Sequence, residues 1–174
     1  MNEIQNIYDK NFLAEIRHIV DVARQKAYSA INSAMVEAYW QIGKRIVEQE
    51  QRGNNRADYG TQLIKSLSAD LTKEYGKGFS VNSLYYFRQF YLAFPEKLPT
   101  VWGILTWSHY KRLLSVTNPE ARAWYLKEAS EQMWSYRTLD RNIASQYYER
   151  LLVRGSPKTH PHRKERLLHR PRVL

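Results

Sequence analysis

Apolar residues recur at three- and four-residue steps from Phe12 to Leu151, and very little interrupts them. That spacing gathers side chains on one face of a helix, whereas a half-buried strand needs alternation at every second residue. Only seven Gly and six Pro punctuate the 174 residues, and before residue 153 neither clusters. The pattern predicts an all-α fold: a compact body over residues 1–152 built from six to eight helices. A basic tail rich in Pro, His and Arg follows over residues 153–174, with no apolar period, and is expected to be disordered.

Local signals place the helices. Phe12, Ile16, Ile19, Val20 and Ala23 form one apolar run, and Ile31, Met35, Ala38, Tyr39, Ile42 and Ile46 form the next, as one long bent helix or two in series. Gln51 to Asp58 has the chemistry of a loop, with Asp58 a candidate cap for a helix bearing Leu63, Ile64, Leu67, Leu71 and Tyr75. Gly76 should end that helix, because glycine takes the left-handed conformation without a Cβ penalty. Ser80 should cap the next, whose stripe is Leu84, Phe87, Tyr91 and Phe94, closed by Pro95 and Pro99.

A loop then buries Val101, Trp102, Ile104 and Leu105, and a short helix runs from about Ser108 to Val116. Asn118-Pro119-Glu120 combines a capping side chain, a proline at the first helical position and an acid at the positive end of the dipole. That helix should reach about Trp134. Ser135 should cap a final one carrying Leu139, Ile143, Tyr147 and Leu151.

Charge and composition narrow the function classes. The formal charge is +10, which favours an anionic partner such as nucleic acid. Seven basic residues against Glu165 lie in the tail, so +6 of that total belongs to it and +4 to the body. With no Cys, disulfides, thiolate metal sites and cysteine nucleophiles are excluded. No apolar stretch is long enough for a membrane span, so no membrane role is expected and the location is read as cytoplasmic.

The segment from Tyr59 to Phe94 reads as helix, tight turn, helix, the layout of a helix-turn-helix unit whose second helix enters a major groove. At 100° per residue, Asn82, Tyr86 and Gln89 lie opposite the Leu84/Phe87/Tyr91 stripe. Asn and Gln can donate and accept together at an adenine edge. Arg88 lies at the flank of that face, within reach of a phosphate. Lys77, Ser80 and Ser83 belong to its leading edge, and Arg137 and Arg141, with Thr138 and Asn142, form a second candidate phosphate surface.

Other chemistry reads as structural. Gly76-Lys77-Gly78 lacks the spacing and preceding strand of a phosphate loop. His160, His162 and His169 lack a scaffold for a metal, and His109 is expected to support the turn before its helix. The five Trp and thirteen Tyr read mainly as packing. No cofactor, metal or catalytic residue is assigned.

Several runs resemble the N-terminal domain of the bacterial YhcG-type proteins: Ala38-Tyr39-Trp40-Gln41-Ile42-Gly43-Lys44-Arg45-Ile46, Tyr59-Gly60, Gly78-Phe79-Ser80-Val81-Asn82-Ser83-Leu84 and Phe87-Arg88-Gln89-Phe90-Tyr91. Leu105-Thr106-Trp107-Ser108-His109-Tyr110, Trp134-Ser135 and Tyr148-Glu149-Arg150-Leu151 continue it, over roughly residues 10 to 152. The resemblance implies a helical DNA-binding domain that precedes a PD-(D/E)xK-type nuclease domain. These 174 residues offer no small sheet carrying acids and a Lys, so nuclease activity is not carried over. The expectation is a non-catalytic module that binds DNA, duplex above all, for a nuclease partner. The rival is a protein-interaction or homodimer module that uses aromatic helix faces such as Tyr85 and Tyr86.

Overall fold

The computed structural model describes residues 9–52, 57–96 and 104–153. Among them every regular element is helical: α1 (Lys10–Arg52), α2 (Ala57–Tyr75), a 3-10 turn (Lys77–Phe79), α3 (Val81–Ala93), α4 (Trp107–Leu114), α5 (Pro119–Glu131), α6 (Tyr136–Ala144) and α7 (Tyr147–Val153). The loop expected over Gln51 to Asp58 is shorter, since Gln51 and Arg52 belong to α1 and Ala57 and Asp58 to α2, so Asp58 stands within the helix rather than before it. Residues 53–56, the Asp58 side chain, Pro99, Val101, Trp102 and the tail beyond Val153 lie outside the described residues.

The two N-terminal apolar runs belong to a single helix of 43 residues. Its second half is core, with Val36, Trp40, Gly43, Ile46 and Val47 buried. Its first half is not: Ile16, Ile19, Val20 and Ile31 stand exposed.

Gly43 is where α1 meets α3. A Cβ there would stand 2.6 Å from the Phe87 carbonyl carbon, closer still to its oxygen, and 3.2 Å from Tyr91 Cβ. Only a residue without a side chain lets the two backbones approach this closely. Around the contact Tyr39 stacks on Phe87 at 4.2 Å and 8°, and Trp107 packs against Tyr39, Phe87 and Phe90 at 5.0–5.4 Å. The indole Nε1 of Trp40 donates to the Phe94 carbonyl at 2.7 Å, satisfying a group that the end of α3 leaves open.

Two packed groups share α1 and α3. Ile46, Ile64, Leu84 and Phe87 join α2 to them. Val36, Phe90, Leu105, Tyr110, Leu113, Tyr125 and Leu139 join them to α4–α7. Phe90 is fully buried and Tyr91 only partly, so the core stripe of α3 sits slightly off the one read from spacing.

The caps at Gly76, Ser80, Asn118 and Ser135 are where the sequence placed them. Gly76 has φ 85°. Ser80 Oγ accepts from Ser83 N–H, Asn118 Oδ1 from Glu120 and Ala121 N–H, and Ser135 Oγ from Thr138 N–H.

Three further expectations are corrected. Ile104 is 46% exposed while Leu105 is buried, because the chain turns at Ile104 into the Thr106 cap of α4. The helix beginning at Pro119 ends at Glu131, with Met133 left-handed at φ 50°. The last helix is two, broken at Gln146, φ 51°. The Tyr125 hydroxyl bridges that break, accepting from Tyr148 N–H at 3.0 Å and lying 3.2 Å from the Asn142 carbonyl. Periodicity could not reveal a break whose vacated backbone groups are satisfied by a residue on another helix.

Gly43→Ala is expected to cost at least ~3 kcal/mol, measured by urea unfolding, because neither backbone can retreat without unpacking both groups. Tyr110 offers the opposite case: its hydroxyl is buried with no hydrogen-bond partner among the described residues, and burial pushes its pKa well up. Tyr110→Phe should leave the melting temperature unchanged or raise it, since it removes an unsatisfied polar atom and keeps the ring.

Candidate nucleic-acid interface

α3 packs on α1, α2 and α4, which leaves one face for solvent. Asn82 and Gln89 stand exposed on it, Tyr85 and Tyr86 are half-buried, and Leu92 is exposed. The turn from α2 sets the start of this helix. Ser68 Oγ donates to the Phe79 carbonyl at 3.0 Å, and Tyr75 and Phe79 rings meet at 5.8 Å. Lys77 and Ser80 stand exposed at the N-terminal end, with Ser83 tied back to the Ser80 hydroxyl. Helix dipole and Lys77 both place positive potential there.

Arg88 is engaged otherwise than its flank position suggested. Its Nε donates to Glu50 Oε2 at 2.7 Å, with both side chains mostly shielded. The pair ties α3 to the end of α1, so any phosphate at Arg88 would share the guanidinium with a carboxylate. Spacing alone could not find this, because the partner lies 38 residues away.

Arg137 and Arg141 project from α6, exposed and without an ion pair among the described residues. Two acids close to them in sequence are occupied: Asp140 takes Arg112 Nε at 2.6 Å, and Glu149 lies 3.3 Å from the Tyr125 hydroxyl. α6 packs on α4, α5 and α7. The structure therefore gives two patches with α4 between them, one led by Lys77, Asn82 and Gln89 and the other by Arg137 and Arg141.

The titratable group with the most built surroundings is His109, and its bonds are structural. Nδ1 accepts from Thr106 N–H at 3.2 Å and lies 2.8 Å from Thr106 Oγ1, while Nε2 lies 3.1 Å from the Trp134 carbonyl. Those partners require a neutral ring protonated at Nε2. Burial pushes its pKa below the usual imidazole range, partly offset by the Trp134 carbonyl. Among the described residues no group of three or more His, Asp or Glu could hold a metal ion, and no helix is long and apolar enough to cross a membrane.

The model of the DUF1016 N-terminal domain matches residues 15–150. The chain belongs to that family. Its DUF1016 N-terminal domain is similar to the protein named "Putative nuclease YhcG" from Escherichia coli (strain K12), 41% identical over 169 residues that cover 79% of this chain and 45% of that protein. The chain thus spans less than half the length of that relative, and the resemblance read from the residues stands. No solved structure matches it.

For the DUF1016 N-terminal domain the His109 geometry fixes a pH dependence. The unfolded imidazole, near pKa 6.5, binds a proton more readily than the folded one, so unfolding takes up protons. Stability should be full above about pH 6.5 and fall as the pH drops from there towards the lowered folded value. Melting temperatures across pH 5–8 should show this fall, and His109→Gln should flatten it.

Proposed function

We propose that this domain holds duplex DNA through the open face of α3, in helix-turn-helix fashion, and positions the remainder of a nuclease-type protein on its substrate. The observation that carries this reading is the pair Asn82 and Gln89, exposed on a helix otherwise packed on three neighbours, with Lys77 and the helix N-terminus at its leading end. Such amides can pair with base edges, and the positive end can meet a phosphate. The rigid mounting of α3 by Gly43 and the Arg88–Glu50 pair supports it, because a reading helix must hold its angle to the duplex. The name of the Escherichia coli relative supplies the nuclease context. The domain's own part is non-catalytic.

Fluorescence-anisotropy titration of duplexes with the full chain, at several salt concentrations, tests this. Asn82→Ala and Gln89→Ala should each lose ~1–3 kcal/mol on the preferred duplex with an unchanged melting temperature. Should both bind as tightly as the parent while Arg137→Ala or Arg141→Ala abolishes binding, α6 is the contacting helix and the reading is wrong. The protein should also leave DNA uncut in magnesium or manganese.

A further inference from the structure

The first half of α1 carries apolar surface with no core beneath it. At 100° per residue, Ile16, Val20, Ala23, Ala27, Ala34 and Ala38 fall within one narrow stripe, and the side that meets α3 through Val36 and Gly43 lies roughly opposite. Ile19, at the edge of the stripe, is 62% exposed, and Ile31, at the other edge, is 60% exposed. The stripe continues into a groove of about 530 Å³ between α1 and α2, lined by Ala38, Ile42, Leu63, Leu67 and Leu71. From Phe12 to Ala38 it runs about 40 Å at 1.5 Å per residue. An apolar surface of this extent marks an interface.

We infer that a second copy of this chain covers it, as an antiparallel pairing of the two α1 helices about a two-fold axis near Ala23–Ala27. The argument is self-complementarity. Bulky residues occupy the first part of the stripe and alanines the second, so reversing one copy sets large against small. With the axis at Ala23, Ile16 faces Ala30 and Ile19 faces Ala27; one turn on, at Ala27, Ile16 faces Ala38 and Val20 faces Ala34. Stable complexes bury ~800 Å² per partner, and a helix pairing along a stripe of this length offers contact on that order. Pairing occurs on the side of α1 away from α3, so it leaves the face bearing Asn82 and Gln89 open.

Sedimentation of the full chain should show a reversible dimer. Each copy is positively charged, +10 overall, so added salt should tighten the dimer by screening repulsion, whereas it weakens DNA binding. The two ideas therefore fail separately. Ile16→Glu with Val20→Glu should give a folded monomer whose melting no longer depends on protein concentration, because both side chains are exposed in the single chain. The chain has no cysteine, so one introduced thiol bonds only to its own copy. Ala23→Cys or Ala27→Cys should oxidise to a covalent dimer, and Asn32→Cys, on the opposite side, should not. A monomer at every concentration would overturn the proposal and assign the stripe to another occupant. So would a dimer insensitive to Ile16→Glu with Val20→Glu, or cross-linking at Asn32 equal to that at Ala27.

Discussion

The approach of α1 to α3 at Gly43 is the contact on which the rest of the structure depends. A carbonyl of Phe87 occupies the space a side chain would need, so the helices meet backbone to backbone and their aromatic neighbours close over the crossing. Tyr39, Phe87, Phe90 and Trp107 share ring contacts there, and through Trp107 the start of α4 is fixed to the same point. Both packed groups include residues of α1 and α3. Widening that crossing by the width of a methyl group would loosen every helix that follows.

Long-range polar contacts then fix what apolar packing leaves adjustable. Trp40 closes the end of α3, His109 ties the first turn of α4 to the chain before α6, and Tyr125 fills the break between α6 and α7. Each joins a side chain to backbone groups left open at a helix end, where burial without a partner is costly. Arg88–Glu50 and Arg112–Asp140 add ionic ties between helices. The Trp40 and Arg88 contacts fix the orientation of α3 itself, as the proposed duplex reading requires.

Much of this was legible in the residues. Ser80, Asn118 and Ser135 announce helix starts because their side chains cap locally, and Gly76 announces an end because its φ excludes most other residues. Periodicity identified the helices and the outward face of α3. It did not separate the two halves of α1, since an apolar stripe in contact and one in solvent look alike in spacing; only the reversal of the stripe from one face to the other distinguishes them. Nor could it show the Arg88–Glu50 pair, the Tyr125 bonds across the Gln146 break or the His109–Trp134 bond, whose partners lie 38, 17 to 23 and 25 residues away.

In the proposed function DNA meets the leading end of α3, and α5–α7 serve as scaffold. Amide shift mapping of isotope-labelled protein titrated with duplex DNA tests this most directly. Changes should concentrate between Lys77 and Gln89 and spare the α5 and α7 amides. Changes confined to α6, or to the basic residues beyond Val153, with α3 unmoved would contradict it.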